Sequence, residues 1–349
     1  MAELRRDPIT RMWVVITTDH PKGPSDYLPF KPPYQVQETE DPCPFCPGNE
    51  GMTPMETFSI KREGKGWSVR VIPNKYPFFR VEGEFDRRPD GMYDVMEAIG
   101  AHEIVIEAPE HHQSLAFMDP SQIRKILQAY KERLIDLEKD RRFEQFLILK
   151  NYPGLFNRHP HSHIMAMPVI PRRIDEEIWG ILDYYQRKER CIFCDILKEE
   201  ISARKRVIVE TVHFLVFSPF ASRYPFETWI VPKAHRPDFH RLQEEEIEDL
   251  SVAIQSLFLK FHGLLSNPPY GLTFHTSPVQ ERFHRPEYHW HIETRLRIGL
   301  REGFEWGTGF FVNPTPPEDA AAFLREVGSS EFACLPRPRS GPGPDRQGV

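Results

Sequence analysis

Four of the five cysteines in this 349-residue chain stand in two C-x-x-C pairs, Cys43-Pro44-Phe45-Cys46 and Cys191-Ile192-Phe193-Cys194. Thiolates at this spacing can grip one soft metal ion or cycle through a disulfide. The N-terminus lacks the basic-then-apolar layout of a secretion signal, so the thiols are expected to be reduced, in a cytoplasmic protein. Pro44 and the following Pro47-Gly48-Asn49 make a poor start for the helix that a redox dithiol would open, which favours metal. Tetrahedral zinc needs two more nitrogen or sulfur donors for each pair. Histidine supplies them twice, in the same order. His111 ends the stretch Glu103-Ile-Val-Ile-Glu-Ala-Pro-Glu-His111, and His235 ends Glu227-Thr-Trp-Ile-Val-Pro-Lys-Ala-His235. Each is followed by an alternating segment, His159-Pro160-His161-Ser162-His163 or His289-Trp290-His291-Ile292-Glu293. The expected sets are Cys43, Cys46, His111 and His159, and Cys191, Cys194, His235 and His289, giving two zinc ions per chain. A rival scheme puts all four cysteines on one ion, but it leaves the repeated histidines without a role. His275 and His291 remain open as further donors at the second site.

His159, His161 and His163 alternate, so on a strand they share one face. With one ring on a metal, a neighbour can act as nucleophile. Neutral imidazole is competent near pH 7, and the N–P bond it forms is labile enough to turn over. Strands must hold these rings and helices must back them. Asp119-Pro120-Ser121-Gln122 supplies an N-cap, a proline at N1 and a Gln at N3. The apolar stripe Ile123, Ile126, Leu127, Tyr130, Leu134 and Leu137 then predicts a helix to about residue 140. Further helices are expected over 243–265, 175–188 and, beginning after Pro316-Pro317, to about 327. Strands are expected over 12–17, 69–72, 146–149, 207–217 and 288–296. The recurring order of C-x-x-C, strand with histidine, helix and H-x-H reads as an internal duplication. The expected fold is α+β, two similar halves at 1–172 and 173–333, each an antiparallel sheet with packed helices. A Pro/Gly/Arg-rich tail over 334–349 is expected to be disordered.

Composition agrees with a packed, loop-rich chain: 40% apolar and 28% charged residues exclude global disorder, and 34 prolines imply short elements. No apolar run approaches the roughly 20 residues that span a bilayer. A net charge of −6 disfavours a general nucleic-acid binder while leaving small phosphorylated ligands open.

The ordered landmarks resemble those of the galactose-1-phosphate uridylyltransferase branch of the histidine-triad superfamily. They are Arg6-Asp7-Pro8 with Trp13-Val14-Val15, Cys43-Pro-Phe-Cys46-Pro-Gly-Asn, Val71-Ile-Pro-Asn74-Lys-Tyr-Pro77, Pro109-Glu-His111, Asn151 and His159-Pro-His161-Ser. They continue with Tyr224-Pro225-Phe226-Glu227, Pro232-Lys-Ala-His235 and Gly303-Phe304-Glu305-x-Gly-Thr-Gly309. The resemblance runs from about residue 5 to 330. It implies ping-pong transfer of UMP between a UDP-hexose and a hexose 1-phosphate, through a nucleotidyl group on His161. It also implies that zinc on His159 orients the strand and is not a Lewis acid, and that Asn74 and Asn151 line the nucleotide pocket. Glu305 joins them as a substrate-binding candidate. A homodimer is implied, the partner chain completing the hexose site.

The chain departs from the family pattern in three places. His163 stands where the family has a Gln that hydrogen-bonds the phosphoryl oxygens. Phe156 falls about where the family has a phosphate-binding Ser, in a shorter loop that also carries Arg158, a replacement cation. His20 and Gly23, with Lys22 between them, stand where the family has phosphate-binding arginines. An imidazole at 163 can also take a proton from water, so the intermediate is expected to be lost to water or phosphate more readily than with Gln. The alternative is that His163 only replaces the amide's hydrogen bond. Phosphorolysis or hydrolysis of a nucleotide sugar, and nucleotide binding without strong catalysis, are the other functions this pattern allows.

Overall fold

The computed structural model describes residues 2–30, 42–62, 64, 66–154, 158–299 and 303–328. The expected tail over 334–349, Cys334 and Phe156 lie outside the described residues. The chain is α+β. In order, its elements are β1 (Glu3–Arg6), β2 (Trp13–Ile16), β3 (Phe58–Lys61), β4 (Trp67–Pro73), β5 (Arg87–Asp90), β6 (Tyr93–Met96) and β7 (Ala101–Ile106). Then come α1 (Pro120–Leu137), β8 (Gln145–Tyr152), β9 (His161–Met167), α2 (Arg172–Lys188), α3 (Ile192–Ala203), β10 (Val207–Glu210) and β11 (Phe214–Phe217). The rest are β12 (Thr228–Pro232), α4 (Glu244–Leu265), β13 (Tyr270–His275), β14 (His291–Leu296), α5 (Gly303–Thr308), β15 (Phe311–Asn313) and α6 (Pro317–Glu326).

The two halves are five-stranded and antiparallel, and they meet edge to edge in one ten-stranded sheet ordered β10-β11-β12-β14-β13-β8-β9-β7-β4-β3. The seam is the β13–β8 pairing, Tyr270 opposite Tyr152 through Phe274 opposite Ile148. One row crosses it from His163 to Leu149, Thr273 and Glu293, so the duplicated positions lie three strand spacings apart, about 14 Å.

Alternation along the strands sorts side chains to two faces. Phe214, Val216, Ile230, Val69, Val71 and Val105 face a shared core under α1, α4 and α6. Leu215, Phe217, Trp229 and Val231 point the other way, against α2 and α3, as Ile72, Ile104 and Ile106 do against Phe45. The expected stripe of α1, from Ile123 to Leu137, is buried throughout, and Asp119 caps the helix through Ser121 N at 2.8 Å. Gly180 in α2 lets the backbone of Ile9 approach so closely that a Cβ there would sit 1.8 Å from the Ile9 carbonyl oxygen.

Some expectations need correction. The stretch 207–217 is two strands, β10 and β11, because the turn between them is held by Asp249, which accepts from Thr211 Oγ1 and His213 N, both at 2.7 Å. β14 starts at His291 and β9 at His161, so His289 and His159 precede their strands. α3, β13 and β15 go beyond the expected elements. β1 and β2 join β15 in a separate three-stranded sheet, where β2 and β15 run parallel. No described helix is long and apolar enough to cross a membrane.

Candidate active site and metal centres

The structure divides the cysteines two and two, against the single-ion scheme. Cys43, Cys46, His111 and His159 form one group, and Cys191, Cys194, His235 and His289 another; within each, the ligand atoms lie within 4.8 Å of one another. The first pair sits in a turn, closed by Cys46 N to Cys43 O at 3.2 Å and by Asn49 Nδ2 to Cys43 O at 2.8 Å. The second opens α3, with Cys191 as its N-cap.

Both sets fit a tetrahedral ion. Zinc–sulfur and zinc–nitrogen bonds of about 2.3 and 2.0 Å imply a sulfur–nitrogen edge of about 3.5 Å. The observed separations are 3.3 Å for Cys46–His111, 3.6 Å for Cys46–His159 and 3.8 Å for Cys43–His159. At the second site they are 3.7–3.8 Å for His289 and His235. The ring orientation agrees. His159, His289 and His235 each donate Nε2–H to a carbonyl, of Ala108, Pro232 and Pro286 at 2.7–2.9 Å, which leaves Nδ1 facing the sulfurs.

His161 and His163 occupy alternate positions of β9, their ring centroids 5.2 Å apart, with the Phe45 ring 5.5 Å from His161. His161 Nδ1 donates to the carbonyl of His159 at 2.7 Å, so its free lone pair is on Nε2. Burial lowers the pKa of His161, the His159 carbonyl opposing and the Lys150 cation adding, which keeps the ring neutral and nucleophilic at pH 7. Behind the strand, Lys150 pairs with Glu107 at 2.5 Å and reaches the His161 carbonyl at 3.3 Å. The Tyr130 hydroxyl bridges Ser162 Oγ at 2.6 Å and Glu107 Oε1 at 3.2 Å.

One group beside His163 escaped the sequence reading. His102, on β7, lies 3.1 Å from His163 through Nε2 and Nδ1. The only hint was its parity with Ile104 and Ile106, the face that carries the site. Lys75 and His102 line a groove of about 1090 Å³ together with Asn74, Arg80 and Arg142. Asn74, expected in the nucleotide pocket, borders this groove, with its amide turned toward His102. Asn151 lies on β8 opposite Gly271 at the seam, and Arg158 is half-buried just before His159. Glu305 lies on α5 and accepts the Val312 N–H at 3.3 Å, which puts it beside the three-stranded sheet.

A third group, Glu177, His275, His291 and Glu293, also has ligand atoms within 4.8 Å. His275 and His291 therefore fall here and not with the second cysteine pair. The two carboxylates already have cations: Glu177 pairs with Arg173 at 3.1 Å, and Glu293 with Arg173 at 2.9 Å and Arg223 at 2.6 Å. His291 is the counterpart of His161 and likewise donates Nδ1–H to the carbonyl two residues back, at 3.1 Å. Phe193, Trp229 and Tyr288 cover it, leaving it 1% exposed, so no substrate can reach it.

Comparison with known proteins agrees with this geometry. The family profile described as "Galactose-1-phosphate uridyl transferase, N-terminal domain" matches residues 1–171, and the corresponding C-terminal domain matches 179–301. The chain is 34% identical over 331 residues to the ADP-glucose phosphorylase of Arabidopsis thaliana, covering 93% of each. It is 28% identical over 338 residues to the galactose-1-phosphate uridylyltransferase of Thermotoga maritima, covering 94% of this chain and 99% of that one. The crystal structure of the Arabidopsis thaliana ADP-glucose phosphorylase with bound ADP-glucose superposes with a TM-score of 0.78 at 32% identity, over 94% of this chain and 100% of that one.

Proposed function

The chain belongs to the galactose-1-phosphate uridylyltransferase family, and from that premise we propose that it moves a nucleotidyl group from a nucleoside diphosphate hexose to a phosphate-bearing acceptor through His161. It is an enzyme, a nucleotidyltransferase of that family. In the first reading the donor is a UDP-hexose and the acceptor a hexose 1-phosphate. His161 Nε2 attacks the α-phosphorus, and the bond to the bridging oxygen breaks so that its electron pair leaves with sugar 1-phosphate. An acceptor phosphate oxygen then displaces the imidazole. The observation that carries this reading is the Nδ1–H bond from His161 to the His159 carbonyl, which aims an unprotonated Nε2 away from the backbone.

In this reading the groove beside Asn74 takes the nucleotide, with Asn151 and Arg158 toward the phosphates, and His163 donates to a phosphoryl oxygen. Residues 1–172 carry the nucleophile and 173–333 the second metal site. Cys43, Cys46, His111 and His159 would hold one zinc, and Cys191, Cys194, His235 and His289 another. Zinc there supplies rigidity to the loop that ends in His161. A homodimer would complete the hexose site with residues of the partner chain, and Glu305 remains a substrate-binding candidate.

A second reading, phosphorolysis of an ADP-sugar, is favoured by the 34% identity to an ADP-glucose phosphorylase. One experiment separates the two. The protein is incubated with α-phosphorus-labelled UDP-glucose or ADP-glucose, quenched in alkali and counted, then chased with galactose 1-phosphate or inorganic phosphate. Label on the protein that is lost in His161→Ala supports the shared step, and the effective chase names the acceptor. No adduct with either donor would overturn both readings.

A further inference from the structure

His102 is 5% exposed on β7 and pairs with Met165, two residues along β9 from His163. Its ring lies 5.2 Å from that of Phe78. One backbone N–H fixes its tautomer. The backbone N–H of Phe78 meets Nδ1 at 3.2 Å. The Asn74 amide nitrogen lies 3.4 Å from Nδ1 and 3.1 Å from Nε2; it is the nitrogen that faces the ring, because Asn74 Oδ1 accepts the Tyr76 N–H at 3.0 Å. A backbone N–H can only donate, so Nδ1 of His102 must offer its lone pair. Burial lowers the pKa of His102 to about 4, so the ring is neutral and its one hydrogen sits on Nε2. That hydrogen points at Nδ1 of His163, 3.1 Å away, which must accept it. His163 is neutral too, held by burial and by its histidine neighbours at a pKa of about 3. Its own hydrogen therefore sits on Nε2.

We propose that His102 is a positioning residue that locks His163 in the Nε2–H tautomer, so that His163 meets the substrate's phosphoryl group as a hydrogen-bond donor and not as a base. The inference rests on the reading of His161 as nucleophile. It chooses between the two roles open to His163. A locked donor does what a Gln amide does, and it cannot take a proton from water. Hydrolysis of the adduct would need water oxygen to attack phosphorus, its proton to pass to an acceptor, and the N–P electron pair to return to His161. With Nε2 of His163 already protonated, that proton has no acceptor there. Transfer to an acceptor that is already anionic needs no such base.

The test reverses the polarity of the chain. His102→Glu places a carboxylate, which can only accept, against Nδ1 of His163. The hydrogen of His163 then moves to Nδ1, and Nε2 becomes a base. The ratio of hydrolysis to transfer should rise by about 100-fold or more, the low end of what a placed base supplies. His102→Gln restores a donor and should keep the ratio within a few-fold of the parent. In a His163→Gln background, His102→Glu should leave the ratio unchanged. Nitrogen NMR of the full-length protein with 15N-labelled histidine gives a direct readout even if a variant fails to fold, with His163 protonated at Nε2. A His163 protonated at Nδ1, an unchanged ratio in His102→Glu, or an equal rise in the His163→Gln background would overturn the proposal. Failure of the underlying reading looks different, because label would then still attach to His161→Ala.

Discussion

Breaking the ion pair behind the nucleophile should cost both stability and rate. Glu107 is fully buried, Lys150 is 3% exposed, and their charged atoms are 2.5 Å apart. Lys150→Met leaves the Glu107 carboxylate in the core with the Tyr130 hydroxyl as its neighbour. Removing one partner of a buried pair costs about 3–5 kcal/mol because the other charge is stranded. The surviving hydroxyl returns about 1 kcal/mol, so a loss of about 2–4 kcal/mol is expected. The double variant Glu107→Leu/Lys150→Met removes both charges at similar volume and should recover most of that loss, a coupling of about 2 kcal/mol or more. Urea unfolding followed by circular dichroism measures all four proteins. Single-turnover labelling below the transition should fall about tenfold in Lys150→Met, because the His161 carbonyl loses its 3.3 Å contact. Single variants within about 0.5 kcal/mol of the parent, or a double variant equal to the sum of the singles, would refute the reasoning.

Elemental analysis should find about two zinc ions per chain, falling to about one in either Cys43→Ser or Cys191→Ser, with the larger loss of activity in Cys43→Ser. Stability should decline as the pH falls from about 6.5 toward 4. Burial depresses His102 to about 4, so the unfolded chain binds the extra proton across that window; His102→Gln should flatten this part of a urea-midpoint profile against pH. Light scattering should give twice the chain mass, and a monomer at working concentration would count against the shared hexose site.

What could be read in the sequence was whatever depends on residue type at fixed local spacing. The two Cys/His clusters that could hold a metal are of this kind, and both appeared as C-x-x-C with repeated histidines. The stripe and cap of α1 are local too, and they were legible to within a turn. The seam was not, because β13 reads Tyr270-Gly-Leu-Thr-Phe-His275, an ordinary strand whose partner is set by register more than a hundred residues away. α3 hid behind its own cysteines, whose spacing suggested a metal loop although Ile192, Phe193 and Leu197 form a buried stripe. His102 gave no motif, since a lone histidine in an apolar strand acquires meaning only from the Phe78 N–H and the His163 ring brought to it by the fold. Glu177 and Glu293 were missed for a related reason: Arg173 lies one turn from Glu177 on α2, but it reaches Glu293, and Glu177 reaches His275, only because the fold lays the helix against the strands.

The seam between β8 and β13 also bears on how such a chain can arise and come apart. Each half has one inner strand whose outward hydrogen-bonding edge is satisfied only by the other half. Cut there, either fragment would present an open edge that pairs with whatever strand is nearest, most readily its own copy. The arrangement is what a two-fold dimer of half-length subunits would leave after fusion, with the symmetry axis passing between Leu149 and Thr273. Such a fusion would remove the need for the two copies to match. One could keep an open histidine strand while the other closed over His291 and became ballast for the sheet. The same continuity ties their fates, so the two halves should melt in a single transition, and a lesion in the sealed copy should be felt as lost activity in the open one.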